Sequence, residues 1–375
     1  MKVNKIIFIS VFVMSTSIIN SLDIQMVKID GGCTTIGSDE FKIIPNSFLT
    51  REESIVKHDA KYPFKAHRVF LSDFYISRYE ITIEQFKAFV DDTRIILSWQ
   101  KEFDPGNSFF SISKNNSNNP MDFISAFEAL MFCQWLSKTN NKTYRLPTNA
   151  EWEYTATKGN RMKFPWGNKP MLIPSTDTTD VVDRSALSVD QIPEDTSPFG
   201  VVGMYGGSEF VLDTFQYDFY LYSPKSNPIS LMQGENDEAI SLRPGGSYND
   251  FGDSIGVYWY KGCSFINWSR TNFRIVEDTG TIFNKGTEEE CLFFQSQGVV
   301  TNGFIKLLPN QKKQLIDTIT NKNVYILFKA IRDNKIWYKI YYEVMNNIGD
   351  YTFTKYKSGW IMSEEVILID KPWYE

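Results

Sequence analysis

Tyr144-Arg145-Leu146-Pro147-Thr148-Asn149-Ala150-Glu151-Trp152-Glu153-Tyr154, followed by Phe164-Pro165-Trp166-Gly167-Asn168, is the stretch whose reading decides the fold of this chain. It carries no periodic core pattern. A helix leads into a sharp Leu-Pro-Thr-Asn turn, and an acidic and aromatic second helix starts after it.

Toward the N-terminus, Ser125 caps a helix that places Phe127, Leu130, Met131, Trp135 and Leu136 on one face. Thr82 caps another, with Glu84-Gln85 ahead of Phe86, Phe89 and Val90. Val69-Phe70-Leu71 and Phe74-Tyr75-Ile76 read as short strands, and Gln25 to Asp30 alternates as a strand into a turn or bulge at Gly31-Gly32. Residues 39–66 and 104–120 are polar and irregular, as loops are. Toward the C-terminus the pattern changes. From 155 to 275 come short pieces rich in Gly, Pro, Asp and aromatics, whose turns need side-chain and backbone hydrogen bonds. A charged linker is expected over 277–298. Beyond it Val324 to Phe328, Ile336 to Tyr342 and Gly359 to Ile361 read as strands, so 299–375 is expected to form a small all-β module.

The chain has 375 residues, enough for one large domain or two with a buried core. Hydrophobic residues at 42% and charged residues at 22% are those of a globular protein. A net charge of −6 and the lack of any Lys/Arg block exclude a nucleic-acid groove, which needs a positive field. Lys2 and Lys5 precede the apolar run Ile6 to Met14, and small or polar residues follow at Ser15-Thr16-Ser17 and Asn20-Ser21. Residues 1–22 therefore read as a signal peptide, with an uncleaved anchor as the alternative. The apolar run is short of the roughly 20 residues that cross a bilayer, and no membrane span is expected after it. The expected location is exported, in the periplasm or at the cell surface. Cys33, Cys133, Cys263 and Cys291 form no C-x-x-C pair, which excludes a zinc knuckle; they read either as buried small hydrophobes or as disulfide partners.

Several segments besides the Arg145–Tyr154 run point the same way. They are Met26 to Ser38, Arg78-Tyr79-Glu80-Ile81-Thr82-Ile83-Glu84-Gln85-Phe86, and Pro120-Met121-Asp122-Phe123. Ser197-Pro198-Phe199-Gly200 through Met204 to Asp213, Arg243-Pro244-Gly245-Gly246-Ser247-Tyr248, and Asn272-Phe273-Arg274 follow in order. Residues 24–276 thereby resemble the sulfatase-modifying-factor family, best known for formylglycine-generating enzymes. The resemblance implies an α+β, loop-rich, C-type-lectin-like fold with a small twisted sheet and two helices. Asp333 to Ile340 and Ser358-Gly359-Trp360-Ile361-Met362-Ser363 resemble a bacterial SH3-like module, which implies a small all-β barrel. Such a barrel either binds peptides or cell-wall material or packs against the main domain.

The resemblance also implies chemistry, and there the chain departs from the pattern. Enzymes of the family use a cysteine pair shortly after the Gly-Gly-Ser-Trp/Tyr element, and those thiolates bind copper and activate oxygen. Here Tyr248 is followed by Asn249-Asp250-Phe251-Gly252-Asp253-Ser254-Ile255, with Asp250 and Ile255 nearest the thiol positions and Cys263 too far along. A carboxylate does not replace a thiolate toward Cu(I), so no copper and no catalytic residue are expected. Other relatives make sulfoxides on a non-haem iron held by histidines and a carboxylate of an attached helical domain. The two histidines of this chain, His58 and His67, fall in a loop region and read as solvent-exposed. The family's Gly-Asn-Val-x-Glu-Trp segment supplies oxygen ligands to calcium. This chain has Gly206-Gly207-Ser208-Glu209-Phe210, in which Glu209 either helps hold a structural calcium or pairs locally.

The expectation is an exported, non-catalytic binding or scaffold protein of the cell envelope. Tyr248, Asn249, Asp250, Trp259, Trp268 and Arg274, with Tyr258 and Tyr260, would line a surface for a glycan or peptide ligand, through stacking and directed hydrogen bonds. Half of those aromatics serve as core on the same reading. The competing expectation is an enzyme of altered chemistry, with Asp250 or Asp253 as general base or oxygen ligand to another metal.

Overall fold

The computed structural model describes residues 22–37, 66–97, 117–160, 162, 164–169, 187–205, 207–213, 225–231, 240–244, 261–263, 271–284, 290–306, 315–348 and 351–374. The signal-peptide reading (apart from Leu22), His58 and most of the loop readings at 39–66 and 104–120 lie outside these residues. Strand outweighs helix among the described residues.

The helices are α1 (Ile83–Thr93), α2 (Ala126–Asn140) and α3 (Asn149–Thr157). Each starts with a capping box. Thr82, Ser125 and Thr148 accept from the backbone N–H three residues on, and Gln85, Glu128 and Glu151 accept from the cap backbone in return. This satisfies two of the donors that a helix N-terminus leaves orphaned. The caps expected at Thr82 and Ser125 are both present. α3 is of another kind from α1: all of its residues are buried, so it is a strut through the interior rather than an amphipathic surface helix.

β1 (Met26–Ile29), β4 (Phe74–Ser77), β10 (Val276–Glu277) and β5 (Tyr144–Arg145) form an antiparallel sheet in the order β1-β4-β10-β5. Arg145 thereby lies opposite Val276. β2 (Gly32–Ile36) pairs β3 (His67–Leu71), so His67 is a strand residue rather than a loop residue. Gly31 at the β1–β2 turn has no room for a side chain, because a Cβ would lie 2.1 Å from the Leu71 carbonyl oxygen. A third sheet has the order β8-β7-β6-β9, with β6 (Ser208–Val211), β7 (Ile240–Pro244), β8 (Lys261–Cys263) and β9 (Thr271–Asn272). The β6–β9 pairing is parallel and sets Glu209 opposite Asn272.

The C-terminal part is one larger sheet of β11 (Ile282–Asn284), β12 (Glu290–Lys306), β13 (Leu315–Arg332), β14 (Lys335–Ile348), β15 (Tyr351–Met362) and β16 (Val366–Ile369). β16, reached through a single 3-10 turn at Ser363–Glu365, returns to pair β12, and Lys306 of β12 pairs Trp360 of β15. The sheet thus closes on itself. The linker expected over 277–298 is corrected here: it contains β11 and the first half of β12. Phe283 and Cys291 face each other across that pair and both are buried, so the charged stretch between them connects paired strands.

This sheet is not a separate body. Leu327, Phe328, Trp337, Tyr341, Tyr356 and Trp360 belong to the same hydrophobic core as Phe86, Phe89, Phe132 and Trp135 of α1 and α2. The C-terminal tail completes the joint. The Trp373 ring stacks 5.3 Å from that of Phe127 and lies 5.2 Å from Tyr325; its backbone N–H donates to Gln134 Oε1 at 2.6 Å. Its indole N–H donates to the Ser296 carbonyl, and Gln295 donates to the Leu130 carbonyl at 2.9 Å. Among the described residues no helix is long and apolar enough to cross a membrane.

Candidate functional site

Arg274, three residues beyond the start of β9, reaches back under Glu209 of β6. Its Nε donates to Glu209 Oε2 and its Nη2 to Glu209 Oε1, both at 2.6 Å, a two-pronged fork that matches guanidinium to carboxylate. Its remaining donors meet the carbonyls of Ser77, Val202 and Gly203 at 3.3 Å, and Glu80 lies 3.9 Å away. The Trp152 indole of α3 donates to Glu209 Oε2 at 2.9 Å. Arg274 has no exposed surface and Glu209 has 1%. Arg274, expected on a ligand-binding surface, is therefore corrected to an interior brace: its donors are spent on protein acceptors and it does not face solvent.

A second fork lies in the decisive run itself. Arg145 donates through Nη1 to Glu151 Oε2 at 2.7 Å and through Nη2 to Glu151 Oε1 at 2.8 Å. Its Nε donates to Asp278 Oδ1 at 3.1 Å, its Nη1 also donates to the Leu146 carbonyl, and its guanidinium lies over the Phe283 ring at 4.8 Å. Glu151 is at the same time the back-reaching partner of the α3 capping box. One buried arginine thus ties the turn at Leu146-Pro147, the start of α3 and the entry to the C-terminal sheet. Asp213 adds a tie, accepting from the backbone N–H of Asn149 at 2.6 Å and of Ser230 at 3.0 Å.

Burial works against the charge on both arginines, but Glu151 and Asp278 around Arg145, and Glu209 and Glu80 around Arg274, outweigh it and raise each pKa above the ordinary value. Burial raises the Glu209 carboxyl, with Arg274 and Trp152 pulling the other way. A calcium ion does not fit Glu209 in this setting. Both of its oxygens are matched to donors, and a cation there would face the guanidinium at the same short range. Local pairing, the other reading of Glu209, is what the structure holds.

Copper held by a thiolate pair finds no such pair among the described residues. Cys33, Cys133 and Cys291 are free thiols; Cys133 and Cys291 are buried in the core and Cys33 is exposed. Burial pushes the Cys133 thiol well above the usual range, which disfavours the thiolate a metal would need. Among the described residues no group of three or more Asp, Glu, His or Cys side chains is placed to hold a metal ion. Tyr248, Asn249, Asp250, Trp259 and Trp268, with Asp253, Ile255, Tyr258 and Tyr260, lie outside the described residues.

Sequence reasoning missed the Arg145–Glu151–Asp278 fork and an open groove beside Phe70, Asn227 and Ile282. A signal for the first was available. A lone arginine inside an apolar, proline-turned run needs a carboxylate partner, and Glu151 is six residues on. The groove joins residues more than 200 positions apart, from Phe70 to Ile282, and had no local signal.

The formylglycine-generating enzyme of Mus musculus is 27% identical over 186 residues, which span 39% of this chain and 43% of that enzyme. The enzyme of the same name from Thermomonospora curvata is 26% identical over 183 residues, 38% of this chain and 52% of its own length. The chain thus spans about half the length of the curated relatives it matches. PvdO from Pseudomonas aeruginosa superposes with a TM-score of 0.47 at 19% identity, over 68% of this chain and 94% of its own. Residues 20–279, which hold both arginine forks, match the sulfatase-modifying factor enzyme 1-like domain, and the chain belongs to that family.

Proposed function

We propose that this protein is an exported, non-catalytic binding or scaffold protein of the cell envelope, built on the formylglycine-generating-enzyme fold and completed by an SH3-like module. The observation that carries the reading is the sequence after Gly245-Gly246-Ser247-Tyr248. The positions nearest the family's thiol pair hold Asp250 and Ile255, while the residues of the two arginine forks are all in place. The fold and the oxygen chemistry are separable because they rest on different residues. Buried ion pairs and capping boxes hold the first, and soft thiolate ligands are needed for the second.

The closed sheet at 290–369, whose last strand returns to the first after a 3-10 turn, supports the SH3-like reading of the module. Its aromatic side is spent on α2 and on Trp373, which favours a bracing role over capture of an external peptide. An array of envelope glycans and peptides probed with the full chain tests the binding half of the proposal. Selective binding to one class supports it; binding to none leaves a scaffold only and removes the ligand-binding version.

A further inference from the structure

A groove of about 440 Å³ opens where β3, the segment 225–231 and β11 meet. Backbone bonds fix its frame. Phe70 N–H donates to the Lys225 carbonyl at 2.6 Å, Asn227 N–H to the Phe70 carbonyl at 2.8 Å, and Asn284 N–H to the Asn227 carbonyl at 3.0 Å. Asn227 works from a left-handed backbone conformation, at φ 40°, and locks the corner with its side chain. Its amide nitrogen donates to Ser72 Oγ and to the Ile282 carbonyl at 3.0 Å, and its amide oxygen accepts from Ser72 N–H at 2.8 Å. The groove is therefore formed before any ligand arrives, which lowers the ordering cost of binding.

What lines it limits what it can hold. Phe70 and Ile282 are large apolar side chains left 44% and 47% exposed at its walls. Thr279, exposed, and Thr281, buried, also line it, and Glu290 supplies the charge. No lysine or arginine is among the lining residues, so an anionic ligand would meet one carboxylate and no counter-charge. Gly280, at φ 88°, has open space where a side chain would be, so a ligand can approach the backbone of the 279–281 turn. An extended peptide added as a strand is disfavoured, because the backbone N–H and C=O of Phe70 are already spent on Lys225 and Asn227. The volume lies within the usual range for small-ligand sites, roughly 300–1,000 Å³.

We propose that this groove binds a neutral saccharide, with the C–H face of a sugar ring on Phe70 and Ile282 and its hydroxyls bonded to Thr279 and Glu290. The proposal rests on the binding-protein reading above and names for it a site and a ligand class.

The test is titration of the full chain with N-acetylglucosamine tetramer, maltotetraose and a sialylated trisaccharide, read by saturation-transfer NMR, for the native protein and for Phe70→Ala and Glu290→Gln. The expected result is binding of at least one neutral oligosaccharide and none of the sialylated one. Each substitution should weaken that binding by about tenfold, the equivalent of one aromatic contact or one charge-assisted hydrogen bond. Thermal unfolding should be unchanged in Glu290→Gln, whose side chain is exposed, so that variant carries the test if Phe70→Ala folds poorly. Absence of any neutral saccharide binding, or binding that survives both substitutions, overturns the groove assignment. In that event, selective binding of envelope peptides by the same sample leaves the binding-protein reading standing, whereas failure of both ligand classes removes both.

Discussion

Removing the carboxylate of Glu209 strands the Arg274 guanidinium in the interior without its two-pronged partner, leaving Glu80 at 3.9 Å and the more distant influence of Asp195. Breaking a buried pair from one side costs about 3–5 kcal/mol, because the surviving charge stays desolvated. Glu209→Gln is expected to lose an amount in that range in denaturant unfolding. Lys87–Asp91, an exposed i,i+4 pair on α1, is the control: Lys87→Ala should change stability by about 0.5 kcal/mol or less. Equal effects at the two sites would refute the brace role of the fork. At this scale the sequence was legible only in part. Arg274 reads from the sequence as facing outward, to a ligand, and Glu209 as either a calcium ligand or a locally paired carboxylate, with no sign that the two pair with each other. Nothing in a local pattern says that β6 and β9 run parallel and bring the two together.

Among the elements, the helices were the most legible. Thr82 and Ser125 are polar caps immediately before apolar stripes, and both cap as expected because the orphan donors of a helix start depend on nearby residues alone. The long strands β12 to β15 were only partly legible, since their length comes from pairing with one another rather than from propensity. The linker reading failed for the same reason: Phe283 and Cys291 bury each other only once β11 and β12 pair. Within this sheet a pH response is built in. Burial and the hydrogen bond to Asp317 Oδ2, at 2.8 Å, both push the Tyr342 phenol above its ordinary range; burial and the bond to Glu343 do the same for Tyr356. A raised pKa favours the protonated form in the folded state. The contribution is therefore full below the unfolded tyrosine value of about 10 and is lost as pH rises above it. Tyr342→Phe should flatten that alkaline loss and cost about 1 kcal/mol at neutral pH. An unchanged alkaline limb in pH-dependent unfolding would contradict the assignment.

Across the whole molecule, the family domain and the closed C-terminal sheet share one hydrophobic core through α2, Tyr325 and Trp373. The full chain should therefore unfold in one cooperative transition. Trp373→Ala should lower its stability by about 3–5 kcal/mol, the usual cost of emptying a buried tryptophan site. Two separated calorimetric transitions in the full chain, with only one of them moved by Trp373→Ala, would show independent domains instead. The central claim is that the fold has been kept without the thiol chemistry of its relatives. It is tested most directly by elemental analysis of the full chain purified without chelator and then equilibrated with Cu(I) under reducing conditions. The account predicts no stoichiometric copper. One tightly held copper per chain, lost when Cys263 is replaced by serine, would contradict it.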